Sequence, residues 1–171
     1  MAGARLHLIG RRPPDLTAPV WRAVATQLAT LAQHLEVRAR AEQWRSLVPA
    51  LRDRPSDVVI DHPGLPGAGA EADRAVRAPA ARDHVWVKVS APYRSPRGAA
   101  AGTLARLADE VGTAWLLWGS DRPWTRHEQG RSYRACLDWI TAHLDAQACR
   151  ALLGGNAARL LRWTPRRGRP G

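Results

Sequence analysis

Three stretches of this sequence end an apolar run in residues that can bind, polarise or take a proton. In Val58-Val59-Ile60-Asp61-His62-Pro63-Gly64 a histidine directly follows a run of buried type. An imidazole in that place can ligate a metal or donate to a substrate, although a lone histidine there is more often a loop cap. In Val85-Trp86-Val87-Lys88-Val89-Ser90-Ala91-Pro92-Tyr93-Arg94, alternation sends Trp86, Lys88 and Ser90 to one face and Val85, Val87 and Val89 to the other. A lysine inside a strand is costly unless it is paired or faces a polar opening. Arg94, beyond the run, has the planar fork that grips a carboxylate through two bonds, with a solvated loop arginine as the alternative. In Trp115-Leu116-Leu117-Trp118-Gly119-Ser120-Asp121-Arg122-Pro123-Trp124, Asp121 follows an apolar run and a Gly-Ser turn. An aspartate there can be a general base or a metal ligand, and equally the side chain that closes a turn.

Such residues need elements to aim them. Short β-like runs at residues 5–9, 35–39, Val58–Asp61, Val85–Ser90 and 114–118 alternate with helical patterns. Pro19 suits an early helical position, and Val20, Val24, Leu28 and Leu31 then recur on one face. Ala41–Arg52 places Trp44, Leu47, Val48 and Leu51 on one side. A further helix is expected over 103–111, and Tyr133, Leu137, Ile140 and Leu144 mark a longer one. Asp145 is placed to cap a short helix through Leu153, and Asn156 to cap a last one ending near Trp163. One strand and one helix every roughly 25 to 30 residues predict parallel βα units, in which the chemistry sits at the strand ends.

Composition narrows the class. The chain has 171 residues, 45% hydrophobic, enough for one domain with a core but short for a whole eight-stranded barrel of ~250 residues. The formal net charge is +11, almost all from arginine; Lys88 is the single lysine and phenylalanine is absent, which reads as base-composition bias rather than a functional signal. Tryptophans lie mostly within the strand and helix patterns, which disfavours a nucleic-acid-binding surface of interleaved basic and aromatic residues. Residues 164–171 form a basic Pro/Gly tail that reads as a solvated terminus beside a domain over 1–163. Cys136 and Cys149 match no zinc spacing and no disulfide framework, and no apolar run reaches membrane-spanning length, so a cytoplasmic protein is expected.

Four words together, Val-Val-Ile-Asp-His-Pro-Gly, Val-Trp-Val-Lys-Val-Ser-Ala-Pro-Tyr-Arg, Leu-Leu-Trp-Gly-Ser-Asp-Arg-Pro-Trp and Leu-Leu-Gly-Gly-Asn-Ala-Ala-Arg-Leu, stand in order over residues 58–161. In them the chain resembles the amidohydrolase-related TIM-barrel hydrolases, in the branch of 2-pyrone-4,6-dicarboxylate lactonase. The resemblance implies an α/β fold, a (β/α)8 barrel. It implies that Asp121 is the eighth-strand general base and His62 the sixth-strand histidine, a metal ligand in some members and a carbonyl-polarising donor in lactonases. It implies that Arg94 grips a substrate carboxylate, with Lys88, Ser90 and Tyr93 beside it, and that Asn156 is a structural cap. His62 and Asp121 would be the metal ligands if a divalent metal such as zinc is used; lactonase-like members use none.

One departure matters. The family's first strand ends in His-x-His, and no His-x-His occurs here. If residues 114–118 form the eighth strand, 5–9 form the fourth, and an N-terminally truncated barrel of about five parallel strands is expected. Three βα units, on the order of 90 residues, would be missing, and the DNA upstream of Met1 is expected to encode them. The expected activity is water attack on a cyclic ester or amide, with a small-molecule substrate that carries a carboxylate. The alternatives are a catalytically inactive remnant of the same fold and, further off, a basic nucleic-acid-binding protein.

Overall fold

A computed structural model describes residues 2–62, 74, 76–77, 80, 82–96 and 98–163. The Pro- and Gly-rich residues 63–73 and the basic tail 164–171 lie outside the described residues. Five strands form one sheet: β1 Gly3–His7, β2 His34–Arg38, β3 Val58–Asp61, β4 Val85–Ser90 and β5 Leu116–Gly119. They lie side by side in chain order, and each of the four pairings is parallel. The main helices among the described residues are α1 Pro19–Thr30, α2 Ala41–Arg52, α3 Ala99–Glu110, α4 Tyr133–Thr141, α5 Ala146–Arg150 and α6 Asn156–Leu160. This is the expected alternation, with strand bounds shifted by one or two residues.

Alternation along the strands separates a helix-facing side from an inner side. Leu35, Val37, Val58, Ile60, Val85, Val87, Val89 and Leu116 pack with Leu28, Trp44, Leu47, Leu51, Leu104, Leu107, Ile140 and Leu152 in one core. Each such side chain contributes about 1.5–3 kcal/mol when fully buried. The residues between them face inward: Val59, Trp86 and Leu117 form a small apolar cluster with Leu160, and the charged residues continue the same face toward the strand C-termini. The split of β4 into Trp86, Lys88 and Ser90 against the three valines is as expected.

Two local expectations need correction. In α1, Val20 and Leu31 are 66% and 53% exposed, whereas Ala25 and Leu28 are buried with Trp21 and Val24 against the core. The stripe that meets the sheet is rotated toward Trp21 and Ala25, and Val20 and Leu31 sit at its edge and at the helix ends. Asn156 is not a cap, because a single π turn, Ala151–Gly155, joins α5 to α6 and leaves no free helix start there. Its buried amide instead donates to the carbonyls of Thr113 (2.8 Å) and Leu116 (2.6 Å), tying the last helix to the start of β5. Asp145 does cap α5, accepting from the Ala148 amide at 2.8 Å.

Candidate active site

Each of the last three strands ends in a residue with left-handed backbone: His62 at φ 55° after β3, Ala91 at φ 50° after β4 and Asp121 at φ 57° beyond β5. Non-glycine residues hold that conformation at a cost of ~1–3 kcal/mol, and such strain gathers at functional sites. Here it has a geometric result. Asp61 already faces inward, so regular alternation would send His62 to the helix side; the left-handed turn brings it back to the inner face.

His62 and Asp121 meet there. His62 is 2% exposed, and its Nε2 lies 3.1 Å from Asp121 Oδ1. The approach is off the line of a good hydrogen bond, so Nε2 is a buried polar atom without an aligned partner. Its Nδ1 is bonded to Ser90 Oγ at 2.6 Å. The carboxylate opposite favours the hydrogen on Nε2, so that Nδ1 accepts from the serine. Asp121 Oδ2 accepts from Tyr93 Oη at 2.5 Å and from Arg94 Nε at 2.8 Å. Burial alone would raise the Asp121 pKa, but the contacts with His62, Tyr93 and Arg94 outweigh it and hold the carboxyl well below the usual range. Tyr93 moves the other way, raised by burial and by its bond to Asp121, so its phenol stays protonated and donating. The Arg131 guanidinium covers the Tyr93 ring at 3.7 Å.

A second cluster lies one step deeper. Lys88 Nζ pairs with Asp61 Oδ1 at 2.6 Å and Glu36 Oε1 at 2.9 Å. Arg5 pairs with the same two acids, through Nε to Glu36 at 3.1 Å and through Nη2 to Asp61. One charge from each of four neighbouring strands thus closes a network around Asp61, whose side chain is fully buried. Burial would raise Asp61; the adjacent His62 ring and the charges of Lys88 and Arg5 lower it overall. Gly119 makes room for this arrangement, since a Cβ there would stand 3.3 Å from Lys88 Cδ.

A cleft of about 1220 Å³ opens over these residues, with Lys88, Tyr93, Arg94 and Asp121 on its wall. The fold therefore brings together Asp121, His62, Arg94, Tyr93 and Lys88, as the sequence suggested. His62 and Ser90, 2% and 5% exposed, lie against each other behind the cleft wall rather than on it. Replacing the serine, Ser90→Ala, is expected to lower kcat on the order of tenfold with KM nearly unchanged, because Nδ1 loses its partner and the ring its orientation. Steady-state kinetics checks this; an effect on KM alone would make Ser90 a substrate contact. Sequence reasoning missed Arg5, Glu36, His7 and Arg38, which also face this end of the sheet. Their signal was present as alternation, with Leu6, Leu35 and Val37 between them.

For a divalent metal the described residues supply too little. No group of three or more His, Cys, Asp or Glu among them could hold an ion. His62 Nε2 and Asp121 Oδ1 face each other, and Asp121 Oδ2 is engaged by Tyr93 and Arg94. The two candidate ligands do not make a site by themselves.

The model of the amidohydrolase family matches residues 1–163. Among solved structures, a chain from Acinetobacter baumannii, assigned as a 2-pyrone-4,6-dicarboxylic acid hydrolase and crystallised with citric acid, matches with a TM-score of 0.86 at 26% identity; the match covers 95% of this chain and 65% of that one. A Pseudomonas putida chain with the same assignment gives 0.84 at 34% identity, over 94% of this chain and 63% of that one. An amidohydrolase from Burkholderia multivorans with bound HEPES shares the fold, with a TM-score of 0.80 at 23% identity over 95% of this chain and 65% of that one. This chain thus spans just under two thirds of the length of each, and its five-stranded sheet with outer helices is the corresponding part of a TIM barrel. No match was found among curated proteins. No helix of the described residues is long and apolar enough to cross a membrane.

Proposed function

The chain belongs to the amidohydrolase family, and we propose that it carries the water-activating residues of a hydrolase that opens a cyclic ester or amide, in particular a lactone bearing a carboxylate. The observation that carries this reading is the meeting of His62 and Asp121, a buried ring nitrogen without an aligned partner set 3.1 Å from a carboxylate oxygen. A substrate carbonyl oxygen can take the hydrogen of His62 Nε2. Asp121 then accepts a proton from water as the water oxygen attacks the carbonyl carbon. When the intermediate collapses, the ring C–O bond breaks and Asp121 returns that proton to the leaving oxygen.

Arg94 has a part in this beyond binding. A carboxylate held far below its usual pKa is a weak base. Arg94 contributes to that lowering through its 2.8 Å bond to Oδ2. If the guanidinium turns toward a substrate carboxylate, Asp121 loses one donor and gains proton affinity when the substrate is in place. The relatives from A. baumannii and P. putida, assigned to a dicarboxylic lactone, support this substrate class. Cys136 and Cys149 are both free, which accords with the reducing cytoplasm in which we place the enzyme.

The test is ring opening by the purified chain, followed by ultraviolet absorbance, with 2-pyrone-4,6-dicarboxylate and with an uncharged lactone. Opening with one water-derived oxygen in the new carboxylate is expected. Arg94→Met should raise KM for the charged lactone on the order of tenfold or more and leave KM for the uncharged one nearly unchanged. Equal effects on both would make Arg94 structural, and no opening of either lactone would contradict the hydrolase reading.

A further inference from the structure

Asp121 owes part of its setting to Tyr93, and something other than the local backbone must fix where that side chain points. Tyr93 is the middle residue of the short 3-10 turn Pro92–Arg94, and its hydroxyl donates to Asp121 Oδ2 at 2.5 Å. Its ring is a wall shared by two spaces. On one side lies the cleft; on the other a cavity of about 640 Å³ runs between that turn and α4, lined by Tyr93, Arg131, Cys136 and Trp139 among others. A tyrosine beside so large a space has room for a second rotamer, in which the phenol leaves Asp121.

Three side chains reach the Tyr93 ring: Arg94 with its Cζ 5.4 Å from the centroid, His127 with its ring centre at 5.1 Å, and Arg131 with its Cζ at 3.7 Å. Arg94 is engaged elsewhere, its Nε on Asp121 and one Nη directed at the Thr125 carbonyl at 3.3 Å. Arg131 is not. Among the described residues no carboxylate pairs with it, and its Nε is buried without a hydrogen-bond acceptor. The complement of its cation is the face of the ring. The chain delivers it there. Gly130, at φ 68°, turns the backbone just before Arg131, and Ser132 just after it caps α4 by accepting from the Ala135 amide at 3.0 Å. Arg131 thus stands on the fixed start of a helix, between the ring and the cavity that the ring would otherwise enter.

We propose that Arg131 is a positioning residue for Asp121 that acts through Tyr93: its guanidinium pins the ring, closes the cavity to it, and keeps the hydroxyl on Oδ2. The inference rests on reading Asp121 as the general base, and it gives each donor on that oxygen a separate task. When Arg94 turns to a substrate carboxylate, Tyr93 stays. Asp121 then gains proton affinity without losing the one donor that orients its other oxygen toward water. Arg131 touches neither substrate nor water in this scheme.

The chain has two tyrosines, so carbon-13 NMR of protein labelled at tyrosine Cζ reads the contact directly. At neutral pH two signals are expected: Tyr133, 51% exposed, near the position of free tyrosine, and Tyr93 displaced from it by the bond to a carboxylate. Tyr93→Phe removes the displaced signal and so assigns it. Arg131→Met keeps the bulk of the side chain and removes the cation, and the Tyr93 signal should then move most of the way to the free-tyrosine position. Arg131→Lys, which leaves a cation for the ring, should retain about half of the displacement or more. In steady-state kinetics Arg131→Met should lower kcat by the same factor as Tyr93→Phe, within about twofold, with KM nearly unchanged, and should add nothing further in the Tyr93→Phe background. A Tyr93 signal unmoved by Arg131→Met would overturn the proposal. So would a full multiplication of the two losses in the double variant, or loss of the native amide spectrum in both Arg131 variants, which would make Arg131 part of the fold. The hydrolase reading fails separately: a Tyr93 signal that depends on Arg131, without lactone opening, keeps the clamp and removes the activity.

Discussion

Asp121→Asn is expected to lower kcat for lactone opening by about 10²–10⁴-fold while the fold persists. The amide keeps the size of the side chain and can still accept from Tyr93 and Arg94 through its oxygen, so the 2.5 Å and 2.8 Å contacts have a partner. What it lacks is a second oxygen able to take a proton from water opposite His62 Nε2. KM should change little if Asp121 acts on water rather than on the substrate. Circular dichroism checks the fold and steady-state kinetics the rate. A kcat within a factor of two of wild type would leave Asp121 as a turn residue whose left-handed backbone serves the chain path only.

Lys88→Met is expected to produce the largest loss of stability among single changes in the site. Asp61 is fully buried and depends on Lys88 and Arg5 for its charge balance, and Arg5 is itself 46% exposed. Removing one partner of a buried ion pair costs about 3–5 kcal/mol, because the other charge is left in a poor solvent. For a chain of this size that is a fall in Tm on the order of 10 °C. Glu36→Gln, at the more open rim of the same network, should cost only about 1 kcal/mol. Thermal unfolding by circular dichroism separates the cases. A Tm unchanged by Lys88→Met would mean that Arg5 alone suffices for Asp61.

Much of this site was legible in the sequence because its signals are local. Val58–Asp61 and Val85–Ser90 are short runs rich in β-branched residues; His62 follows its strand directly and Asp121 follows its own after a short turn. Lys88 stood out because an isolated lysine in a strand demands a partner. Its partners were not legible, because Glu36 and Asp61 reach it across strands whose register no single stretch encodes. For the same reason Ser90 was read as a substrate contact, whereas the sheet places it against His62. Arg38 was passed over among many arginines, although its alternation with Leu35 and Val37 marked it as inward-facing. Asn156 misled because helix-cap chemistry assumes a helix start, and the π turn before it continues the chain without one.

The central claim is that His62 and Asp121 act on one water and one carbonyl as a unit. A double-mutant cycle in kcat/KM for lactone opening, with His62→Gln, Asp121→Asn and the pair, measures that directly. Residues acting on the same step are strongly non-additive, so the double variant should be no slower than the slower single variant within about threefold. If the two losses instead multiply in full, His62 and Asp121 work independently, and the 3.1 Å contact between them is a packing feature rather than the catalytic centre.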